Sequence, residues 1–252
     1  MPADRSLIVT GAAGGIGLRV AELAASRGAR VLAVDRDAAA LERAVAGLPA
    51  ERVAAHVADV TSAEACAEAV QRAEELHGGV GALVNNAGIG AFDMTLDTTT
   101  DEQWERVIAV NLTSVFLMSR AALPALRRSG GGAIVNVSSV HALATSRGLV
   151  PYAAAKGGVL AMTRALAIDL APDRIRVVAV LPGATDTPML RQHAEREGRS
   201  LEQLGFSRDP GSLGRVMEPR EVAETILFAA SDAASALTGS ALTADAGLLA
   251  GF

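Results

Sequence analysis

The amino-acid sequence predicts a doubly wound α/β fold: a seven-stranded, mostly parallel sheet with helices on both faces. Three observations predict it. Short β-branched runs alternate with longer segments rich in Ala, Leu, Glu and Arg along most of the 252 residues. Strands such as ALVNN and RVVAVL are apolar throughout, which suits strands covered on both faces by crossover helices. The first strand also runs directly into a glycine-rich turn and then a helix.

The strands are expected at SLIVT (6–10), ARVLAVD (29–35), RVAAHVA (52–58), ALVNN (82–86), AIVNVS (133–138) and RVVAVL (176–181), with a short last one at SALTA (240–244). Helical patterns fall between them at 15–27, 37–47, 62–77, 101–128, 152–171 and 219–232. No linker, low-complexity segment or fixed-period repeat interrupts the chain, so residues 1–252 read as one domain. The least regular stretch, 184–216, mixes turn residues and charges with a partly helical pattern, and is expected to form a substrate lid, with a plain surface excursion as the alternative.

Composition narrows the function. Half the residues are apolar, and the net charge of −5 comes without a dense Lys/Arg block, which gives no electrostatic footprint for nucleic acid. The single cysteine, Cys66, excludes an intrachain disulfide and suits a reducing compartment. The N-terminus MPADRSLIVTG lacks a basic region followed by an apolar run, and no later stretch reads as a membrane span, so a cytoplasmic protein is expected. His56, His77, His141 and His193 are scattered without a cysteine or acidic cluster at ligand spacing, so no metal is expected.

The turn after the first strand, Thr10-Gly11-Ala12-Ala13-Gly14-Gly15-Ile16-Gly17, has the makings of a phosphate cradle. Its glycines let the backbone approach a pyrophosphate, and the helix N-terminus that follows offers free N–H groups and partial positive charge. It is not the G-x-G-x-x-G fingerprint, because counting from Gly15 and Gly17 puts Val20 where the third glycine belongs. The second strand ends at Asp35, eighteen residues beyond Gly17, where a carboxylate can accept hydrogen bonds from an adenosine ribose. That carboxylate would face a 2′-phosphate with like charge, so NAD is favoured over NADP, although the Arg36 guanidinium next to it could pair such a phosphate. The competing reading is that Asp35 caps the next helix.

In PYAAAKGG (151–158) the chain's one tyrosine, Tyr152, stands four residues before Lys156, so a helix stacks phenol and ammonium on one face. At that spacing the charge is close enough to perturb the phenol. A free tyrosine, with a pKa of about 10, stays protonated near neutrality unless nearby positive charge stabilises the phenolate.

These residues resemble the classical short-chain dehydrogenase/reductase family. TGAAGGIG is similar to its T-G-x-x-x-G-x-G loop, Asn85-Asn86-Ala87-Gly88 to N-N-A-G, and Tyr152 with Lys156 to Y-x-x-x-K. Asp59-Val60, Asn111, Ser139 thirteen residues before Tyr152, and Pro182-Gly183 follow in matching order over almost the whole chain. The resemblance implies a Rossmann fold and hydride transfer between a nicotinamide dinucleotide and a secondary alcohol or ketone. It implies that Tyr152 is the acid/base, Lys156 also binds nicotinamide ribose, Ser139 holds the substrate oxygen, and Asn111 holds a water beside Lys156. It further implies cofactor contacts at Gly11, Ala13, Gly14, Gly15, Ile16, Gly17, Asp35 and Arg36, around adenine at Asp59 and Val60, and then at Asn86, Ala87, Gly88, Pro182, Gly183, Thr185 and Thr187. Two departures stand out: Thr185 replaces a usual aliphatic, and Asp245-Ala246-Gly247 replaces a common D-G-G.

The substrate pocket is expected to draw on 90–94, 140–145, 149–151 and 184–216, which are mostly apolar or small, with His141 and Thr145 as hydrogen-bonding exceptions. That composition favours a neutral, moderately hydrophobic or cyclic substrate. Apolar residues wider than one stripe on 101–128 and 152–171 suggest a second buried surface, and the resemblance implies a homotetramer. The rival to an enzyme is a dinucleotide-binding regulator or scaffold that does no chemistry.

Overall fold

A computed structural model describes residues 4–201 and 213–251. Its sheet runs β1 (Ser6–Thr10), β2 (Arg30–Asp35), β3 (Val53–Val57), β4 (Ala82–Asn85), β5 (Gly132–Val137), β6 (Ile175–Pro182) and β7 (Ala241–Ala244). Every pairing is parallel, and the spatial order β3-β2-β1-β4-β5-β6-β7 is that of a doubly wound Rossmann sheet.

Because alternate residues of a strand face opposite ways, an apolar strand feeds two cores. Leu7, Val9, Val84 and Val135 pack with α1 (Gly15–Ser26) and α8 (Pro219–Ala230) on one side. Ile8, Leu83 and Ile134 pack with α3 (Ala63–His77) and α5 (Ser114–Arg128) on the other, where α6 (Val150–Asp169) also lies. The short α2 (Ala38–Val45) covers the β2–β3 edge. Cys66 is buried in the second core, where desolvation pushes its thiol up to about 11.

Two expectations need correction. The segment 101–128 is helical throughout, but α4 (Asp101–Ile108) passes into a π-helical turn at Ala109–Thr113 before α5 begins. The same 28-residue run, with a mean hydropathy of 1.5 in its most apolar window, is long and apolar enough to cross a membrane, contrary to the sequence reading. In this fold its inward face, Val115, Met118, Ala122, Ala125 and Leu126, is committed to the core. A further helix, α7 (Pro188–Arg196), forms inside the irregular stretch 184–216. The part of the expected lid at 202–212 lies outside the described residues.

After β7 the chain turns back over β6. Asp245 accepts from the N–H groups of Gly247 and Leu249 at 2.9 and 2.8 Å, and its backbone lies against Gly183, where a Cβ would come within 2.9 Å. Ala246 at the centre of this turn has φ +54°, the left-handed region that a glycine in the usual D-G-G would enter freely. Holding an alanine there costs about 1–2 kcal/mol. Ala246→Gly is therefore expected to raise the thermal midpoint by about 2–4 °C, after the greater chain entropy of glycine offsets part of the relief. Thermal unfolding followed by circular dichroism checks this, and a lower midpoint would contradict the strain at Ala246.

Candidate active site

The C-terminal ends of β1, β2, β4, β5 and β6 border a cleft of about 930 Å³. Strand order reverses between β1 and β4, so the loops leaving these strands diverge to opposite faces and leave a crevice between them.

The glycines of the first turn divide into two jobs. A Cβ on Gly11 would lie 2.8 Å from Ala87 Cα, and one on Gly17 would lie 2.2 Å from the Gly11 carbonyl oxygen. These two permit the close approach of α1 to the ends of β1 and β4. At Gly14 and Gly15 the nearest atoms lie across the cleft, 3.7 Å away on Pro188 and 3.3 Å away on Thr187, so bare backbone faces the space between. Helix α1 has no side-chain cap and no acid in its first turn, leaving its N-terminal partial positive charge to that space. A dinucleotide pyrophosphate fits this cradle on backbone geometry alone.

Asp35 lines the same cleft. Its Oδ2 accepts from Ala13 N at 3.0 Å and its Oδ1 from Asp37 N at 3.1 Å, so the carboxylate braces the turn. The cap of α2 is Asp37, which accepts from Ala40 N at 2.9 Å, and the capping reading of Asp35 falls away. The N-N-A-G segment clamps the other side: Asn86 Nδ2 donates to the Thr10 and Gly11 carbonyls at 3.0 and 3.2 Å, while Thr10 Oγ1 accepts from Asn86 N and Ala87 N. Ala13, Gly14, Gly15, Ile16, Asn86, Gly88, Pro182, Gly183, Thr185 and Thr187 also reach the cleft wall.

Gly17, Arg36, Asp59, Val60 and Ala87 do not form that wall. Val60 is buried beside Cys66, whose thiol donates to its carbonyl. Asp59 is exposed and accepts from both N and Oγ1 of Thr61, which holds its carboxyl below the ordinary value.

Four expected groups converge on the opposite wall. Tyr152 and Lys156 lie one turn apart on α6, Ser139 follows the end of β5, and Asn111 sits in the π-helical turn. The Lys156 ammonium is buried, donates to the Val137 carbonyl at 2.9 Å and lies 5.7 Å from the centre of the Tyr152 ring. Asn111 does not bond to its own helix. Its Oδ1 accepts from Ile89 N at 2.8 Å and its Nδ2 donates to the Ile89 carbonyl at 2.9 Å. A Cβ on Gly88 would fall 2.8 Å from Asn111 Oδ1 and 3.5 Å from Lys156 Nζ, so a glycine keeps the gap between them open. The neighbouring Ser138 belongs to the scaffold, its hydroxyl donating to the Lys156 carbonyl at 2.8 Å.

The electrostatics differ from the simplest reading of the pair. Burial raises the Tyr152 phenol above its ordinary value, and the counterweight is a hydrogen bond with Ser139 rather than Lys156. Burial also lowers Lys156 to about 8. Within the chain, both groups are therefore pushed toward their neutral forms, and additional positive charge in the cleft is needed before the phenolate becomes accessible near neutrality.

The end of the cleft expected to take a substrate is walled by His141, Thr145, Leu149, Phe92, Met189 and His193. His141 meets Tyr152 edge-on, centroids 6.0 Å apart, and burial keeps its imidazole below the ordinary value. The ring of His193 on α7 stacks on Phe92 at 3.9 Å, joining the 184–216 segment to the loop after β4. His193 also lies with Asp93 and Glu197, ligand atoms within 4.8 Å of one another, a grouping the scattered sequence positions concealed. Glu197 is already held by Arg199 at 3.0 Å. The sequence reading missed Leu248 and Leu249, which reach the cleft because the turn at Asp245 folds back over Gly183. Of the two departures, Thr185 is buried and donates to the Gly183 carbonyl at 3.0 Å, so its hydroxyl is satisfied locally.

Comparison with known proteins agrees with this geometry. Residues 11–249 match the family model described as enoyl-(acyl carrier protein) reductase. The chain is 39% identical over 249 residues to cyclopentanol dehydrogenase from Comamonas sp. (strain NCIMB 9872), covering 98% of each. The crystal structure of levodione reductase superposes with TM-score 0.93 at 30% identity, covering 100% of both chains. That of 3-ketoacyl-(acyl-carrier-protein) reductase from Brucella melitensis, complexed with NADH, gives 0.88 at 36%, covering 98% of both. The parallel sheet, the glycine turn and the Ser139, Tyr152 and Lys156 cluster thus occur in a chain that belongs to the short-chain dehydrogenase/reductase family.

Proposed function

We propose that the protein is an NAD(H)-dependent oxidoreductase that interconverts a cyclic or otherwise moderately hydrophobic secondary alcohol and its ketone. The observation that carries this reading is the meeting of Ser139, Tyr152 and Lys156 on one wall of a cleft whose other wall presents an uncapped helix N-terminus. A cyclopentanol dehydrogenase and a levodione reductase among the similar proteins support a ring-bearing substrate. The mostly apolar wall of Phe92, Leu149 and Met189 suits one.

In this reading Ser139 Oγ holds the substrate oxygen, and the Tyr152 phenolate takes the hydroxyl proton as the alcohol is oxidised. Hydride acceptance is the chemistry a bound oxidised nicotinamide supplies. Gly14 and Gly15 would hold the pyrophosphate, Asp35 the adenosine ribose and Lys156 the nicotinamide ribose. Asp59, Val60 and Arg36 would flank the adenosine from outside the cleft wall. Asn111 would hold a water near Lys156, with Gly88 leaving room between the two side chains. A non-catalytic dinucleotide-binding regulator is the outcome to which silence across a broad panel of alcohols and ketones, despite measured cofactor binding, would point. The reading includes a cytoplasmic setting, with the one thiol buried.

Tyr152→Phe is expected to cut turnover of cyclic secondary alcohols by about 10²–10⁴-fold with the fold intact. Near-normal activity would remove Tyr152 from the mechanism. In the wild type, alcohol oxidation should climb as pH rises, because the raised phenol must lose its proton. The climb should bend above about 8, where Lys156 gives up its charge. Ketone reduction, which needs the protonated phenol, should run the opposite way, and initial rates in both directions across pH check the sign.

Asp35→Ser is expected to lower the ratio of kcat/KM for NAD over NADP by tenfold or more, corresponding to about 1.4 kcal/mol of relieved repulsion. Equal or better use of NADP by the wild type would overturn the cofactor assignment. Trp104 on α4, Phe116 on α5 and Ile168 on α6 are exposed. We read these helices as the contact surface of a homotetramer, which light scattering tests; a monomer at working concentration would contradict it.

A further inference from the structure

Beneath the site, a line of buried polar side chains crosses the sheet, and nothing in the proposed chemistry uses it. Asn85 and Asn136 are register partners at the ends of β4 and β5, at 3% and 0% exposure. Asn85 Nδ2 donates to Asn136 Oδ1 at 2.9 Å and to Ser119 Oγ on α5 at 3.1 Å. Asn136 Nδ2 donates to Thr163 Oγ1 on α6 at 3.0 Å, and the Thr163 hydroxyl donates onward to the Val159 carbonyl at 2.9 Å. Thr163 is fully buried, so each of these groups depends on its neighbour.

The placement of this line matters. Asn136 lies three residues before Ser139, and Thr163 lies seven after Lys156 and eleven after Tyr152, spacings that set all three on the same face of α6. The hydrogen bond between Asn136 and Thr163 therefore joins the strand that delivers Ser139 to the helix that delivers Tyr152 and Lys156. Apolar contact between a helix and a strand is non-directional and tolerates a slide along the helix axis, whereas an amide bonded to a hydroxyl does not. Two other ties join β5 to α6, from Lys156 Nζ to the Val137 carbonyl and from Ser138 Oγ to the Lys156 carbonyl, and both sit at the reacting end. Asn136 and Thr163 fix the far end, and neither reaches the cleft.

We propose that Asn136 and Thr163 are positioning residues. Their hydrogen bond sets the axial register of α6 against β5, and with it the approach of the Ser139 hydroxyl to the Tyr152 phenol. The proposal rests on the reading of Tyr152 as the acid/base, and the experiment separates the two. Because Tyr152 is the one tyrosine in the chain, tyrosinate absorbance titrates that phenol alone, without turnover.

Thr163→Val keeps the shape and removes the acceptor. It is expected to lower kcat by about tenfold to a hundredfold with KM for the cofactor nearly unchanged, as for a misplaced catalytic group. It should also move the Tyr152 titration upward, since the Ser139 hydrogen bond that lowers it is weakened. Thr163→Ser, which retains the hydroxyl, should restore both. Should the valine variant not fold, Thr163→Cys, a weaker acceptor of similar size, should give intermediate values of each. An unmoved titration with wild-type kcat in Thr163→Val or Thr163→Cys would overturn the proposal. So would equal losses of kcat, cofactor affinity and thermal midpoint in the valine and serine variants. A wild type that turns over no substrate, or an active Tyr152→Phe, sinks the enzyme reading instead and leaves the titration arm standing.

Discussion

The crossing of the β1 turn with the end of β4 is the contact on which the cleft depends. Gly11 and Gly17 have no room for a Cβ, because Ala87 and the Gly11 carbonyl occupy the space it would need. The Asn86 amide then bonds the two carbonyls that the sharp turn leaves free, and the Thr10 hydroxyl takes the returning N–H groups. With this junction closed, α1 is held with its N-terminus over the crevice and α6 with its polar pair across from it. If the crossing opened by the width of one methyl group, the cradle and the opposite wall would no longer face the same ligand.

On the reactive side, burial acts against ionisation of both members of the pair. The Lys156 ammonium is anchored to the Val137 carbonyl and stands beside the phenol ring rather than on its oxygen. It therefore offers a field rather than a bond, and that field is weakened when desolvation favours the neutral amine. With Lys156 buried and Tyr152 half-buried at the cleft wall, the pair responds to any further charge brought into the cleft.

The sequence made the strands, the parallel sheet and the cluster of Ser139, Tyr152 and Lys156 legible for a common reason: each depends on local spacing. Strand ends, glycine turns and an i,i+4 pair are encoded within a few residues. What was hidden depends on contacts between distant segments. The bracing of Ala13 by Asp35, the stack of Phe92 on His193, the return of Leu248 to the cleft and the line from Ser119 to Thr163 join residues far apart in the chain. In the sequence Asn136 reads as part of a strand and Thr163 as part of a helix; only the packed sheet reveals that both are fully buried polar groups bonded to each other. Helix α7 was missed as an element because its nine residues are short and charged, and its cap, Thr187, looked like a cofactor contact.

The π-helical turn also changes what the wide apolar stripe of 101–128 means. Before the turn, Val107 packs toward Ala91 and Ala155 in a cluster that Tyr152 also joins; after it, Val115 and Met118 are buried, with Met118 facing the sheet core. The extra residue in the turn switches the helix from one partner to another, so a single rod serves two internal surfaces in succession. Much of the breadth of that stripe is a change of phase along one axis, and only the side chains left bare, such as Trp104 and Phe116, fall outside both internal surfaces.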